Sequence, residues 1–150
     1  MKNENFKTLE GAFAHHELDL NNLPEGAKAI KTFEDACAKL GVDPTALPEV
    51  AYLPQEFQTP VINHYKAMVI TKALNDGWTP DYTDSDQWKY EPRFWMVKDE
   101  AAPGGVGFVG SGCVGWDTHT HCGSRLCFAS AELCIYASIQ FEDIYSGMLL

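Results

Sequence analysis

Five side chains able to hold a metal ion fall within ten residues of this chain: Cys113, Asp117, His119, His121 and Cys122, in the run Cys-Val-Gly-Trp-Asp-Thr-His-Thr-His-Cys. Two thiols and two imidazoles are the donor mix that zinc prefers. The spacing matches no zinc ribbon or finger, however, and on a strand His119 and His121 share a face from which Cys122 points away. The favoured reading is polar strand and loop residues, with zinc on Cys113, His119, His121 and Cys122 as the alternative. No other cofactor is expected.

The remaining chemical residues read more plainly. His15, His16 and Glu17 are adjacent in sequence and seldom aim at one ion from a regular element, so they are expected at the surface. His64 lies on a helix with no serine or cysteine that the sequence places beside it, as a catalytic pair would need. Asp81, Asp84 and Asp86 have the carboxylate density of a calcium loop without its central glycine or closing glutamate, which favours a turn with solvated acids. Cys37, Cys127 and Cys134 fall on apolar positions, where free cysteine behaves as a small buried hydrophobe. Gly105, Gly107 and Gly110 have the spacing of a dinucleotide fingerprint. No parallel βαβ unit surrounds them, so they read as hairpin turns. No catalytic motif emerges, and the chain is not expected to be an enzyme.

The segment from Trp78 to Gly123 carries the strongest binding signal. Eight aromatic residues fall between 78 and 116, and glycines cluster after 103. Trp78, Tyr82, Trp88, Tyr90, Trp95 and Trp116 could form a contact surface, because flat aromatic side chains offer large areas at low entropy cost. About half of them are expected to fill the core instead. Arg125 is the cation near this segment, able to meet an anionic ligand or to pair with an internal acid.

Composition bounds the rest. With 150 residues, 45% of them hydrophobic, the chain is long enough for a single core. The apolar runs fall short of the roughly 18 residues needed to cross a bilayer, so no membrane role is expected. The first residues lack the apolar stretch of a secretory signal, so the protein is expected in a reducing cytoplasm, that of the host cell if a phage encodes it. Five cysteines in no even framework argue against a disulfide scaffold. A net charge of −10, with Arg93 and Arg125 the only arginines, argues against nucleic acid as partner.

The elements that must position these residues follow from caps and periodicity. Residues 1–30 hold apolar islands at 9–13 and 18–23 and read as an arm or irregular segment, ahead of a single α+β domain over 31–150. A first helix is capped by Thr32, with Asp35 in the capping-box position, and ends at Gly41. A second is capped by Thr59, with Pro60 at its first helical position, and stops at Asn75-Asp76-Gly77. A third runs from the Ser130 cap to Gly147 with apolar residues three and four apart. Strands are expected at 90–97, 105–109 and 125–128. Pro92 restricts the first to an edge or a bulge. The expected architecture is a small antiparallel sheet with about three helices packed on one face.

Several blocks resemble a family of small uncharacterised proteins from gut Bacteroidetes and their phages and mobile elements. They are Thr32-Phe-Glu-Asp-Ala-Cys37, the run from His64 through Ala73-Leu-Asn-Asp-Gly-Trp-Thr-Pro-Asp81, Gly123-Ser-Arg-Leu-Cys-Phe128, and Glu132 to Tyr145. The likeness spans roughly residues 30–147 and departs from the family's pattern at His119, His121 and Cys122. The Gly-Ser-Arg-Leu run is also similar, over four residues, to an ending found in C-type-lectin-fold variable proteins. The resemblance implies fixed blocks around a variable segment, which suits ligand display. The leading reading is therefore a noncatalytic binding module of a phage or mobile element, meeting a host protein or a small ligand through residues 78–123. One version is the sequestration of a host signal molecule, and scarce arginine weighs against a highly phosphorylated one. The alternatives are a virion or structural accessory protein forming a homo-oligomer, and a zinc protein using residues 113–122.

Overall fold

A computed structural model describes residues 7–101, 105–119 and 124–150. Six helices and one antiparallel hairpin make up the described chain, an α+β arrangement as the sequence predicts. The helices are α1 (Leu9–His15), α2 (Glu25–Lys28), α3 (Phe33–Leu40), α4 (Gln55–Leu74), α5 (Ala131–Gln140) and α6 (Glu142–Leu149). The hairpin strands are β1 (Lys89–Lys98) and β2 (Val106–Trp116).

Helix α3 forms as its sequence dictates. The Thr32 hydroxyl accepts from the Asp35 amide at 3.1 Å, and the Asp35 carboxylate accepts from the Thr32 amide at 2.9 Å. Gly41 closes the helix with φ 67°, a left-handed conformation that costs glycine little. Helix α4 begins five residues earlier than a Thr59 cap predicts. Pro54 precedes it, its carbonyl accepting from the Phe57 amide at 2.9 Å. Pro60 then sits inside the helix, where its missing N–H leaves the carbonyl of the exposed Glu56 to solvent.

The predicted helix from Ser130 to Gly147 is two helices. Phe141, with φ −119° and ψ 32°, ends α5 and begins α6. The break lets buried Phe141, Ile144 and Tyr145 enter the main core as α6 turns onto α4. Gly147 does not stop α6. It lies inside the helix at its close approach to α4, where a Cβ would collide with the Asn63 amide. Helix α5 is buried along Leu133–Ser138 rather than on one stripe. One side of it packs into the main core, and Ile135 meets Ala12 and Phe13 of α1 in a satellite cluster. Much of the stretch expected to be an arm thus folds against the domain: α1 docks on α5, and Leu23, Ala27 and Ile30 join the main core.

Strands β1 and β2 pair antiparallel from Lys89↔Trp116 to Lys98↔Val106, with a bulge between Trp95 and Met96. The ladder tolerates Pro92 because a two-stranded sheet has two edges. The strand expected at 125–128 reduces to a 3₁₀ turn at Ser124–Leu126 and one bridge, in which Tyr90 and Phe128 exchange backbone hydrogen bonds of 3.0 and 2.7 Å. Strand β2 is longer than expected and absorbs glycines read as turns. A Cβ on Gly112 would come within 3.0 Å of the Trp95 ring and 3.2 Å of His16, so a bare backbone there makes room for both rings. The run with the dinucleotide-fingerprint spacing accordingly lies at the start of a strand and opens no helix.

Candidate functional site

The fold brings three of the predicted binding residues, Trp78, Tyr82 and Arg125, onto one cleft of about 740 Å³. Its other walls come from Leu40 at the end of α3, from Met68 and Thr71 on α4, and from Pro80. This volume lies in the range of sites for small molecules, which are largely apolar with a few placed polar groups.

Local sequence explains each wall. Helix α4 ends at Asn75, and the chain reverses through Asp76 at φ 45° and Gly77 at φ 90°. The Trp78 amide then donates to the Asn75 carbonyl at 2.9 Å, which fixes where the indole leaves the turn. The Asn75 side chain bonds to backbone. It donates to the Cys127 carbonyl at 2.9 Å and accepts from the Ala129 amide at 3.1 Å, tying the end of α4 to the segment that carries Arg125.

The segment after Trp78 is held by two side chains from further along. Gln87 accepts from the Asp81 amide at 2.6 Å and donates to the Thr79 carbonyl at 3.3 Å. Lys89 is fully buried, and its ammonium donates to the carbonyls of Asp81, of Asp84 at 3.2 Å and of Asp117 at 2.8 Å. The turn that resembled a calcium loop therefore encloses an internal cation. Its carboxylates serve the backbone instead: Asp81 accepts from Thr83 at 2.8 and 2.6 Å, and Asp84 from Asp86 at 2.8 Å. Tyr82 stands between the Lys89 ammonium, 5.4 Å from its ring centre, and the Cys127 thiol, 3.9 Å from its hydroxyl.

The cleft carries positive charge. Lys39, Lys72 and Arg125 line it together with Asp76, and Lys39 pairs with Asp76 at 2.6 Å. Among the described residues no carboxylate pairs with Lys72 or with the exposed Arg125. Thr71 is 3% exposed at the cleft wall. Its hydroxyl faces the Tyr145 phenol, whose pKa burial pushes up and Thr71 draws down, yet neither hydroxyl makes a hydrogen bond of good geometry.

Other predicted binding residues lie elsewhere. Trp116, expected among the contact residues, is 2% exposed and part of the interior, a consequence of its pairing with the buried Lys89 where the 78–87 loop returns to the sheet. Trp88 is 52% exposed and Trp95 40%, both outside the cleft lining. The Arg93 guanidinium lies 4.7 Å from the Trp95 ring centre. Of the eight aromatics between 78 and 116, only Trp116 is fully buried, while Tyr90, Phe94 and Phe108 pack against the main core with partial exposure.

The metal candidates separate in part. Cys113 sits on β2 opposite Pro92, half-buried, with the Cys134 thiol of α5 as a neighbour. The Cys134 thiol, and the charge of Arg93, hold the Cys113 pKa below the usual thiol value against an opposing effect of burial. His119 is exposed beside Asp117, 3.6 Å away. His121 and Cys122 lie outside the described residues. Among the described residues no three His, Cys, Asp or Glu side chains are grouped to hold one ion.

Sequence reasoning missed Lys89 and Asn75 as the parts that build the cleft. A lysine opening a strand and an asparagine closing a helix are both ordinary in sequence, and only long-range contacts reveal their roles. His16, expected at the surface, is half-buried and hydrogen-bonds the Ser111 carbonyl at 3.1 Å. No protein-family model, curated protein or solved structure matches this chain.

Proposed function

We propose that this protein is a noncatalytic binding module that takes a small ligand in the cleft between Trp78, Tyr82 and Arg125. The observation that carries the reading is the convergence of these three residues on a cleft of about 740 Å³. The Lys89 and Gln87 clamps support it further, because a site shaped before its ligand arrives loses less entropy on binding. Carriage by a phage or mobile element, and action in the host cytoplasm, rest on the sequence resemblance.

Native mass spectrometry tests this directly. Protein passed through host-cell extract is expected to return with a defined small added mass, and Trp78→Ala is expected to lose it. An unchanged mass, or retention of the same adduct by Trp78→Ala, overturns the reading. Repeating the measurement with and without a chelator reads the zinc alternative on Cys113, His119, His121 and Cys122 in the same spectra.

A second reading draws on a different surface. Trp95, Met96 and Val97 are 40%, 44% and 43% exposed along β1, which is an edge strand. Exposed apolar side chains on an open edge suit contact with another polypeptide, either a second copy or a host protein. This is the arrangement that an oligomeric accessory protein would use. Sedimentation equilibrium decides it: an oligomer that Trp95→Glu dissociates favours this reading, and a monomer at all concentrations removes the self-assembling form.

A further inference from the structure

The cleft combines aromatic side chains with two cations, Lys72 and Arg125, that pair with no carboxylate among the described residues, and that combination discriminates among ligands. Lys39, Lys72 and Arg125 are three of the chain's eleven basic residues, and Asp76 is the only carboxylate among the described lining residues. Asp76 is already engaged with Lys39. Two cations are left over in a chain whose net charge is −10. At physiological salt, charges more than about 8 Å away are largely screened, so the distant acidic surface does not cancel this local surplus. Two such cations match one oxyanion. A polyphosphate would bring more negative charge than Lys72 and Arg125 neutralise.

We propose that the cleft recognises a small molecule with a flat aromatic body and a single oxyanion, a carboxylate or a phosphate monoester. The body lies against Trp78 and Tyr82, and the oxyanion meets the Arg125 guanidinium with Lys72 in support. Arg125 is the principal contact because its planar fork presents paired donors to such a group, whereas Lys72 acts as a point charge. This deepens the small-ligand reading above and depends on it.

Isothermal titration calorimetry with isosteric probes tests the proposal. The probes are 2-naphthoate, its neutral counterpart 2-naphthamide, and 2-naphthyl phosphate. At least one anion is expected to bind about tenfold or more tightly than the amide, as one charge-assisted hydrogen bond would give. The tighter of the two anions identifies the oxyanion. Arg125→Gln is expected to bring that anion down to the affinity of the amide and leave the amide unchanged. Trp78→Ala is expected to weaken all three. Arg125 is exposed on a 3₁₀ turn, so its replacement is compatible with folding, and Lys72→Gln provides a second, milder variant. Equal binding of anion and amide overturns the charge preference and leaves the small-ligand reading standing. So does an extract-derived adduct that proves neutral or cationic. Failure of every naphthyl probe, alongside a retained mass from extract, overturns the aromatic-anion class and spares the cleft.

Discussion

The buried Lys89 ammonium donates a 2.8 Å hydrogen bond to the Asp117 carbonyl, joining the start of β1 to the residue just beyond the end of β2. The same ammonium holds the carbonyls of Asp81 and Asp84, so one cation gathers the 78–87 loop onto the hairpin. It also faces the Tyr82 ring. The cleft wall that carries Trp78 and Tyr82 thus depends on a side chain outside the cleft lining.

Lys89→Met keeps the length of the side chain and removes the charge. Three carbonyls then lose a charged donor, each such bond contributing roughly 1.5–3 kcal/mol and acting in part together. We expect a loss of about 3 kcal/mol in urea unfolding, with probe binding lost in any fraction that remains folded. Calcium at millimolar concentration should leave the thermal midpoint of the wild type unchanged, because the carbonyls of the acidic turn already face a cation. A rise of several degrees with calcium would show that the turn takes the metal as well.

Thr71→Val removes a buried hydroxyl at nearly constant volume. The hydroxyl lacks a well-formed hydrogen bond beside Tyr145, and an unsatisfied buried polar group costs about 1–3 kcal/mol. The variant is expected to gain about 1 kcal/mol in urea unfolding, since valine's lower helix propensity offsets little. Destabilisation by a similar amount would mean that the hydroxyl has a solvent partner at the cleft wall.

Local signals in the sequence were legible where they acted locally. The Thr32 and Asp35 capping box, Gly41, the Ser130 cap and the stop at Asn75–Gly77 all stand where the sequence places them. The start of α4 was obscured because Thr59-Pro60 looks like a helix beginning, while the backbone needs of Pro54–Phe57 decide the matter. The break at Phe141 was hidden because both halves of 130–147 keep helical spacing, and only packing on α4 calls for the turn. Gly107 and Gly110 read as turns because glycine is a weak strand former, yet β2 carries them; the use of Gly112 and Gly115 lies across the sheet, in rings contributed by residues near 88–95 and by His16. At the cleft, composition flagged Trp78, Tyr82 and Arg125, but Lys89 and Asn75 act over 28 and 54 residues of separation and leave no local trace.

Acid should destabilise the protein through its turn carboxylates. Hydrogen bonds from neighbouring backbone amides and threonine hydroxyls lower the pKa values of Asp35, Asp43, Asp81 and Asp117. A carboxyl lowered on folding binds its proton more tightly in the unfolded chain, so its stabilising contribution is complete above the ordinary value of about 4 and fades as pH falls through that value toward the folded one. Urea midpoints should hold level from neutral pH to about 5 and fall below about 4. Asp35→Asn should make this acid limb shallower. A limb of unchanged slope in Asp35→Asn together with Asp81→Asn would place the acid sensitivity elsewhere.

Cys113 and Cys134 should differ sharply toward a thiol reagent. The neighbouring Cys134 thiol and the charge of Arg93 favour the Cys113 thiolate, and its side chain is half-buried. Cys134 is fully enclosed, and burial, with Cys113 beside it, raises its pKa well above the usual range. Since the thiolate is the reacting form, iodoacetamide at pH 7.5 should alkylate Cys113 while Cys134, Cys37 and Cys127 stay protected until unfolding. Cys134→Ser should slow the Cys113 reaction if its thiol is the donor that matters, because a serine hydroxyl at that depth sits further from the Cys113 sulfur. Peptide mapping by mass spectrometry reads each site separately. Labelling of Cys134 at a rate comparable to Cys113 in native protein would mean that α5 opens locally, and would remove the basis for treating the two thiols as a donor and an acceptor in a closed core.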